Sequence, residues 1–138
     1  IDFSGKAIMS VKRIHNALPN ASSVVYEESL NDIDVDFTET AIVTEFLGTK
    51  RLHWLASPKR LKLRHQPVTK KIIPMDGGYR INLSSTTLQK DVYLYTDTKG
   101  HFSDNFFDML PNETYSVFFE TSDAIDNLQI ISFNNFIR

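Results

Sequence analysis

Residues 79 to 84 read Tyr-Arg-Ile-Asn-Leu-Ser, with Tyr79, Ile81 and Leu83 apolar and Arg80, Asn82 and Ser84 polar. Successive side chains of a β-strand point to opposite faces, so this rhythm describes a strand with one dry face and one wet face. The rhythm recurs along the chain with β-branched and aromatic residues, broken by Gly, Pro, Asn and Asp clusters. It predicts strands over 7–14, 22–26, 41–47 and 51–56, then over 68–73, 79–84, 91–96, 114–120 and 128–133. No three-turn amphipathic helix is readable, and Ser29 to Phe37 offers one short helical turn. Strands this frequent make an antiparallel β-sandwich the expected class.

Two turns fix how strands follow one another. Asp76-Gly77-Gly78 supplies the positive φ of a tight hairpin, which places Ile73 and Tyr79 on neighbouring antiparallel strands. Leu110-Pro111-Asn112-Glu113 is a second turn, with proline fixing φ and asparagine tolerating the left-handed region. A chain of 138 residues that is 41% hydrophobic and 12% aromatic buries one ordinary core or two small ones. The basic stretch from Pro58 to His65 divides the strands into two sets. Its Leu61 and Leu63 alternate with Lys62 and Arg64, as in a linker whose leucines tuck between modules while the charges stay in water. The expected fold is therefore all-β, with two small immunoglobulin-like sandwich modules over 1–57 and 67–138 and a basic linker over 58–66.

Composition narrows function mostly by exclusion. The formal charge of -2, from 15 basic and 17 acidic residues, exerts no general pull on nucleic acid or anionic membrane. The basic stretch lacks the aromatic platforms of a nucleic-acid surface. Without cysteine there is no disulfide framework, thiolate metal site or cysteine nucleophile, and the compartment stays open. The apolar run around Val117-Phe118-Phe119 is far too short for a bilayer core of about 30 Å. The opening Ile1-Asp2-Phe3 has neither methionine nor a charged leader, and reads as a cut from something longer.

Candidate chemistry is sparse. His15, His53, His65 and His101 stand singly, without metal-ligand spacing. Asp32, Asp34 and Asp36 alternate as in the opening of a calcium loop but lack its glycine and closing glutamate, so a solvated acidic loop is expected and no metal or cofactor. Ser84 to Thr87 has no nucleophile-elbow context and reads as turn and strand-end hydrogen bonding. Asn20, Asn82 and Asn112 match the glycosylation sequon, which carries no weight in a bacterial protein. Trp54 has two readings, a core residue or a sugar-stacking platform, and its strand context favours the core. Tyr93 and Tyr95 share one strand face, as a stacking platform or as packing against another domain.

The segment Gly100 to Pro111 concentrates Phe102, Phe106 and Phe107 with Ser103, Asp104, Asn105 and Asp108. Short polar side chains that bond nearby amides shape tight irregular connections, and each phenylalanine stabilises by roughly 1.5–3 kcal/mol when fully buried. The segment reads as a crossover pinned between sheets, its main rival being an apolar patch that docks another domain.

Gly100-His101-Phe102-Ser103-Asp104-Asn105-Phe106-Phe107-Asp108-Met109-Leu110-Pro111 resembles the C-terminal signature of β-mannosidases of glycoside hydrolase family 2. Pro58-Lys59-Arg60-Leu61-Lys62-Leu63 resembles the junction before that module, and Asp91-Val92-Tyr93-Leu94 its central strand. Asp2-Phe3-Ser4-Gly5-Lys6 is similar to a mid-domain turn of the preceding Ig-like module. The family commonly has Pro-Gly where this chain has Pro111-Asn112. A start in mid-domain implies that the first module is truncated at its N-terminus, with unpaired sheet edges.

The resemblance implies a parent that hydrolyses terminal, non-reducing β-D-mannose using two glutamates about 5–5.5 Å apart, on a (β/α)₈ barrel. This chain cannot build that barrel, and Asn112-Glu113 mimics the family's acid/base pair only by coincidence, so no catalytic residue is expected. The implied role is a non-catalytic C-terminal region that packs on the catalytic core, with the barrel and other domains of the parent chain as partners. The family-signature residues Phe102, Ser103, Asp104, Asn105, Phe106, Phe107 and Pro111 are then structural. A periplasmic or secreted location follows if the source is bacterial. The alternative is a carbohydrate-binding module in which Trp54, Tyr93 or Tyr95 stacks on mannose-containing glycans. A third reading is a cell-surface Ig-like adhesion module.

Overall fold

A computed structural model describes residues 1–16 and 18–137; Ala17 and Arg138, assigned above to the first and last modules, lie outside the described residues. The strands are β1 (Ala41–Phe46), β2 (Thr49–Trp54), β3 (Thr69–Met75), β4 (Gly78–Ser84), β5 (Gln89–Tyr95), β6 (His101–Phe102), β7 (Phe107–Met109), β8 (Thr114–Glu120) and β9 (Gln129–Ile131). Short 3₁₀ turns lie at Leu30–Asp32, Pro58–Arg60 and Phe133–Phe136.

β3 to β9 form two antiparallel sheets, ordered β3-β4-β8-β6 and β7-β5-β9. The inward faces of both meet in one core of Ile81, Leu83, Val92, Leu94, Met109, Val117, Phe119 and Leu128. Among the described strands of this sandwich only β3 and β4 are joined within one sheet; every later connection crosses to the other sheet, which interlocks the two layers. The β3–β4 hairpin closes at the Met75↔Gly78 pair, with Gly77 at φ +76° in the turn. Ile73 lies opposite Arg80 and Tyr79 opposite Pro74, which sits on an edge strand where its missing N–H breaks no ladder.

The N-terminal region departs from the sequence expectation. β1 and β2 form a hairpin through Leu47 and Gly48, at φ +50° and +78°, the backbone of a type I′ turn. The expected strands over 7–14 and 22–26 are absent: these residues are exposed and join no ladder, leaving Ile8, Val11, Ile14, Val24 and Val25 in water. Alternation prepares a segment to be a strand, but a strand exists only with a neighbour to hydrogen-bond. The short helical turn narrows to Leu30–Asp32, where Ser29 Oγ accepts the Asn31 N–H.

A second cluster joins the hairpin to the sandwich. Phe3, Ala41, Leu61, Leu63 and Leu88 are buried together, with Leu52, Trp54, Leu110 and Phe133 packed around them. The Phe3 carbonyl accepts both the Leu88 N–H and the Thr87 hydroxyl, at 2.9 and 2.8 Å. At the start of β5, Gln89 accepts the Ser132 hydroxyl and donates to Ser85 Oγ and the Gln66 carbonyl, while Asn134 donates to the carbonyls of Arg64 and Leu88. Among the described residues no buried side-chain polar atom lacks a partner, so this polar seam carries no desolvation penalty left unmet.

Candidate functional site: the crossover and the outer face of β5

The segment 100–111 leaves the larger sheet as β6 and enters the smaller one as β7. Gly100 begins it beside β8, where a Cβ would stand 2.5 Å from both the Glu120 carbonyl oxygen and the Phe119 ring. Ser103 then holds β8 twice, donating its N–H to the Phe118 carbonyl and accepting the Phe118 N–H on Oγ. Asp104 accepts the Tyr115 hydroxyl at 2.6 Å and the Asn105 N–H at 2.8 Å. Burial and the Asp104 carboxylate together push the Tyr115 phenol up to about 12. Asn105 pairs with the backbone of Leu94, its Oδ1 accepting the N–H at 2.7 Å and its Nδ2 donating to the carbonyl at 3.0 Å. Its side chain thus continues the β5 ladder after the main chain has turned away.

The phenylalanines divide by face. Phe102 packs on Phe119 with ring centroids 4.5 Å apart, and Phe107 stacks on Tyr115 at 4.1 Å, both against the core. Phe106 points outward. Its backbone sits at φ +59°, costly for a bulky residue, and the residue is 69% exposed while its ring stacks on Tyr93 at 4.6 Å. Pro111 is buried and Asn112 takes φ +62°, donating its N–H to the Ser85 carbonyl and its Nδ2 to the Ser4 carbonyl.

The three candidate stacking residues do not share one surface. Trp54 is half-buried between the hairpin and the sandwich: its Nε1 donates to Asp108 at 2.7 Å, Phe3 meets it at 78°, and Lys90 Nζ lies 5.4 Å from the ring centroid. Asp108 also accepts the Asp91 N–H, which fixes the bulge where Asp91 sits at φ +51° and the β5–β7 register slips. Tyr93 and Tyr95 lie on the outer face of β5, opposite Ile131 and Gln129 of β9. The Tyr95 hydroxyl donates to Asp97 at 2.9 Å, and Asn127 Nδ2 donates to the other oxygen at 2.7 Å. Those two bonds, Asn127's first, hold the Asp97 carboxyl below its ordinary range, and the Asp97 bond raises the Tyr95 phenol.

Residues 63–136 match the Ig_mannosidase family model, an Ig-fold domain. The chain belongs to the mannosidase Ig-fold family. No curated protein matches it. The matched span starts at Leu63, in the buried cluster under the hairpin, and covers every strand of the two-layer sandwich.

In this chain of the mannosidase Ig-fold family the other candidates, several of them outside the matched span, have plain settings. Among the described residues no group of three or more His, Asp or Glu side chains is placed to hold a metal, and no helix is long and apolar enough to cross a membrane. Asp36 accepts the Thr38 N–H and hydroxyl and pairs with Lys62, whose hydrogen bond pulls its carboxyl well down. Glu113 pairs with Lys50 across the junction of hairpin and sandwich. The cleft there, lined by Leu52, Met109, Leu110 and Tyr115 among others, holds about 130 Å³, well below the roughly 300–1,000 Å³ of ordinary ligand pockets. Sequence reasoning passed over Tyr115, Asp97 and Asn127, because each is defined by a partner 11 to 30 residues away.

Proposed function

We propose that this chain is the non-catalytic C-terminal accessory region of a β-mannosidase-like enzyme of glycoside hydrolase family 2, packing on the catalytic core and stabilising it. The parent hydrolyses terminal, non-reducing β-D-mannose residues with two glutamates carried on its barrel. The observation that carries this reading is the Ig_mannosidase match over residues 63–136. It is supported by the signature segment, whose Ser103, Asp104 and Asn105 all spend their polar atoms on holding strands and loop together. In this reading residues 1–57 are a partial Ig-like module, 58–66 the linker and 67–138 the terminal module. Its partners are the barrel and neighbouring domains of the same parent.

The test compares the parent enzyme with and without residues 67–138, following thermal unfolding and hydrolysis of 4-nitrophenyl β-D-mannoside. Removal is expected to lower Tm by several degrees, and the purified 138-residue chain is expected to hydrolyse nothing. An unchanged Tm, or hydrolysis by the chain itself, overturns the proposal.

A further inference from the structure

We propose that the outer face of the β7-β5-β9 sheet is a glycan-binding surface, built from Tyr93, Tyr95 and Phe106 with the polar side chains Asp97, Asn127 and Gln129, and that Trp54 has no part in it. The starting observation is the strain at Phe106. A phenylalanine at φ +59°, 69% exposed, stands where glycine or asparagine fits the backbone at less cost. The neighbours over-determine that conformation: Asn105 is locked on Leu94, and its Oδ1 also accepts the Phe106 N–H at 3.3 Å. The result is an aromatic ring held out in solvent against Tyr93, beside Tyr95, itself 45% exposed.

The polar rim identifies the occupant. Asp97 is fixed by Tyr95 and Asn127, and Asn127 Oδ1 accepts from Gln129 Nε2 at 3.4 Å. The two loops that carry them are stitched together: Thr98 Oγ1 donates to the Ala124 carbonyl and accepts the Asp126 N–H, and Thr96 Oγ1 donates to the Asp126 carbonyl. Each carboxylate oxygen keeps a spare lone pair, and the Asn127 and Gln129 amides keep unused donors and acceptors. Exposed aromatic rings beside preorganised carboxylate and amide groups suit a pyranose, which offers an apolar C–H face and a rim of hydroxyls. Trp54 is excluded because Phe3, Lys90 and Asp108 already occupy its surroundings.

The proposal rests on the mannosidase reading only for the choice of sugar. The 138-residue chain is titrated with mannobiose, cellobiose, xylobiose and soluble mannan while backbone and side-chain amide shifts are recorded. Saturable shifts at Tyr93, Tyr95, Phe106, Asn127 and Gln129, with a Kd of about 1 mM for a disaccharide, are expected. Phe106→Ala should weaken binding about tenfold. Tyr95→Phe, which keeps the ring and frees Asp97, should weaken it by a smaller factor and guards against a folding defect in the first variant. Silence with all four sugars overturns the proposal, as do shifts confined to the Trp54 indole. Silence with sugars together with shifts on this face when the parent's catalytic core is added also overturns it, while leaving the core-packing role standing. Glycan binding without any effect of deletion on the parent's Tm would separate the two in the opposite sense.

Discussion

At the residue scale, the crossover relies on three short polar side chains, each with a different task. Asn105 is the most constrained, since it must present an acceptor to the Leu94 N–H and a donor to the Leu94 carbonyl at once. Asn105→Ala should cost about 1–3 kcal/mol by leaving both groups of a part-buried strand unpaired. Asn105→Asp should cost more, because an oxygen replaces the amide donor and faces the Leu94 carbonyl. Urea midpoints of the two variants check the order, and an Asp variant no less stable than the Ala variant contradicts the pairing. Tyr115 gives a pH signature. Its phenol is raised in the fold, by burial and by Asp104, from about 10 to about 12. The unfolded chain therefore loses this proton first. The stability it contributes is complete below pH 10 and drains away as pH rises toward 12. Tyr115→Phe should flatten that decline in a series of chemical denaturations, at the cost of the Asp104 bond.

At the scale of elements, the best-read strands are those whose alternation faces a core. β4 and β8 carry Ile81, Leu83, Val117 and Phe119 on their inward faces, and the expected 114–120 coincides with Thr114–Glu120. Expectation failed in two opposite ways. Residues 7–14 alternate well but have no neighbouring strand, whereas β6 and β7 are real strands of two and three residues, too short to show any period. Their existence depends on β8 and β5, which no local pattern reveals. The candidate surface was half legible for the same reason. Tyr93 and Tyr95 share a face by strand geometry alone, but Phe106 joins them only through a left-handed backbone, and Asp97 meets Asn127 across two loops. Gly100 offers a test at this scale. Gly100→Ala pushes a methyl into the Phe119 ring and the Glu120 carbonyl, and should destabilise by about 1–3 kcal/mol, read as a lower Tm.

At the scale of the whole molecule, the hairpin and the sandwich are coupled through the cluster of Phe3, Leu61, Leu63 and Leu88. Leu63→Ala should cost about 2–5 kcal/mol, and because Leu88 immediately precedes β5 the loss should reach the sandwich as well as the hairpin. Hydrogen exchange is the measurement: faster exchange in β5 and β2 together is expected, and faster exchange in β2 alone would mean the two parts unfold independently. The same cluster gives the basic stretch its two faces, leucines tucked inward and charges in water. Lys62 holds Asp36 and Glu39 at the surface while the leucines on either side are buried.

Asn105 has one further consequence, which concerns other molecules of this protein. Where β7 peels away from β5, the Leu94 N–H and carbonyl would otherwise form an open rung able to recruit a strand from a neighbouring copy. A side chain now fills that rung, and the bulky Tyr93–Phe106 stack stands on the adjoining face. Asn105→Ala should therefore do more than soften the fold, since it uncovers a template on which chains can add edge to edge.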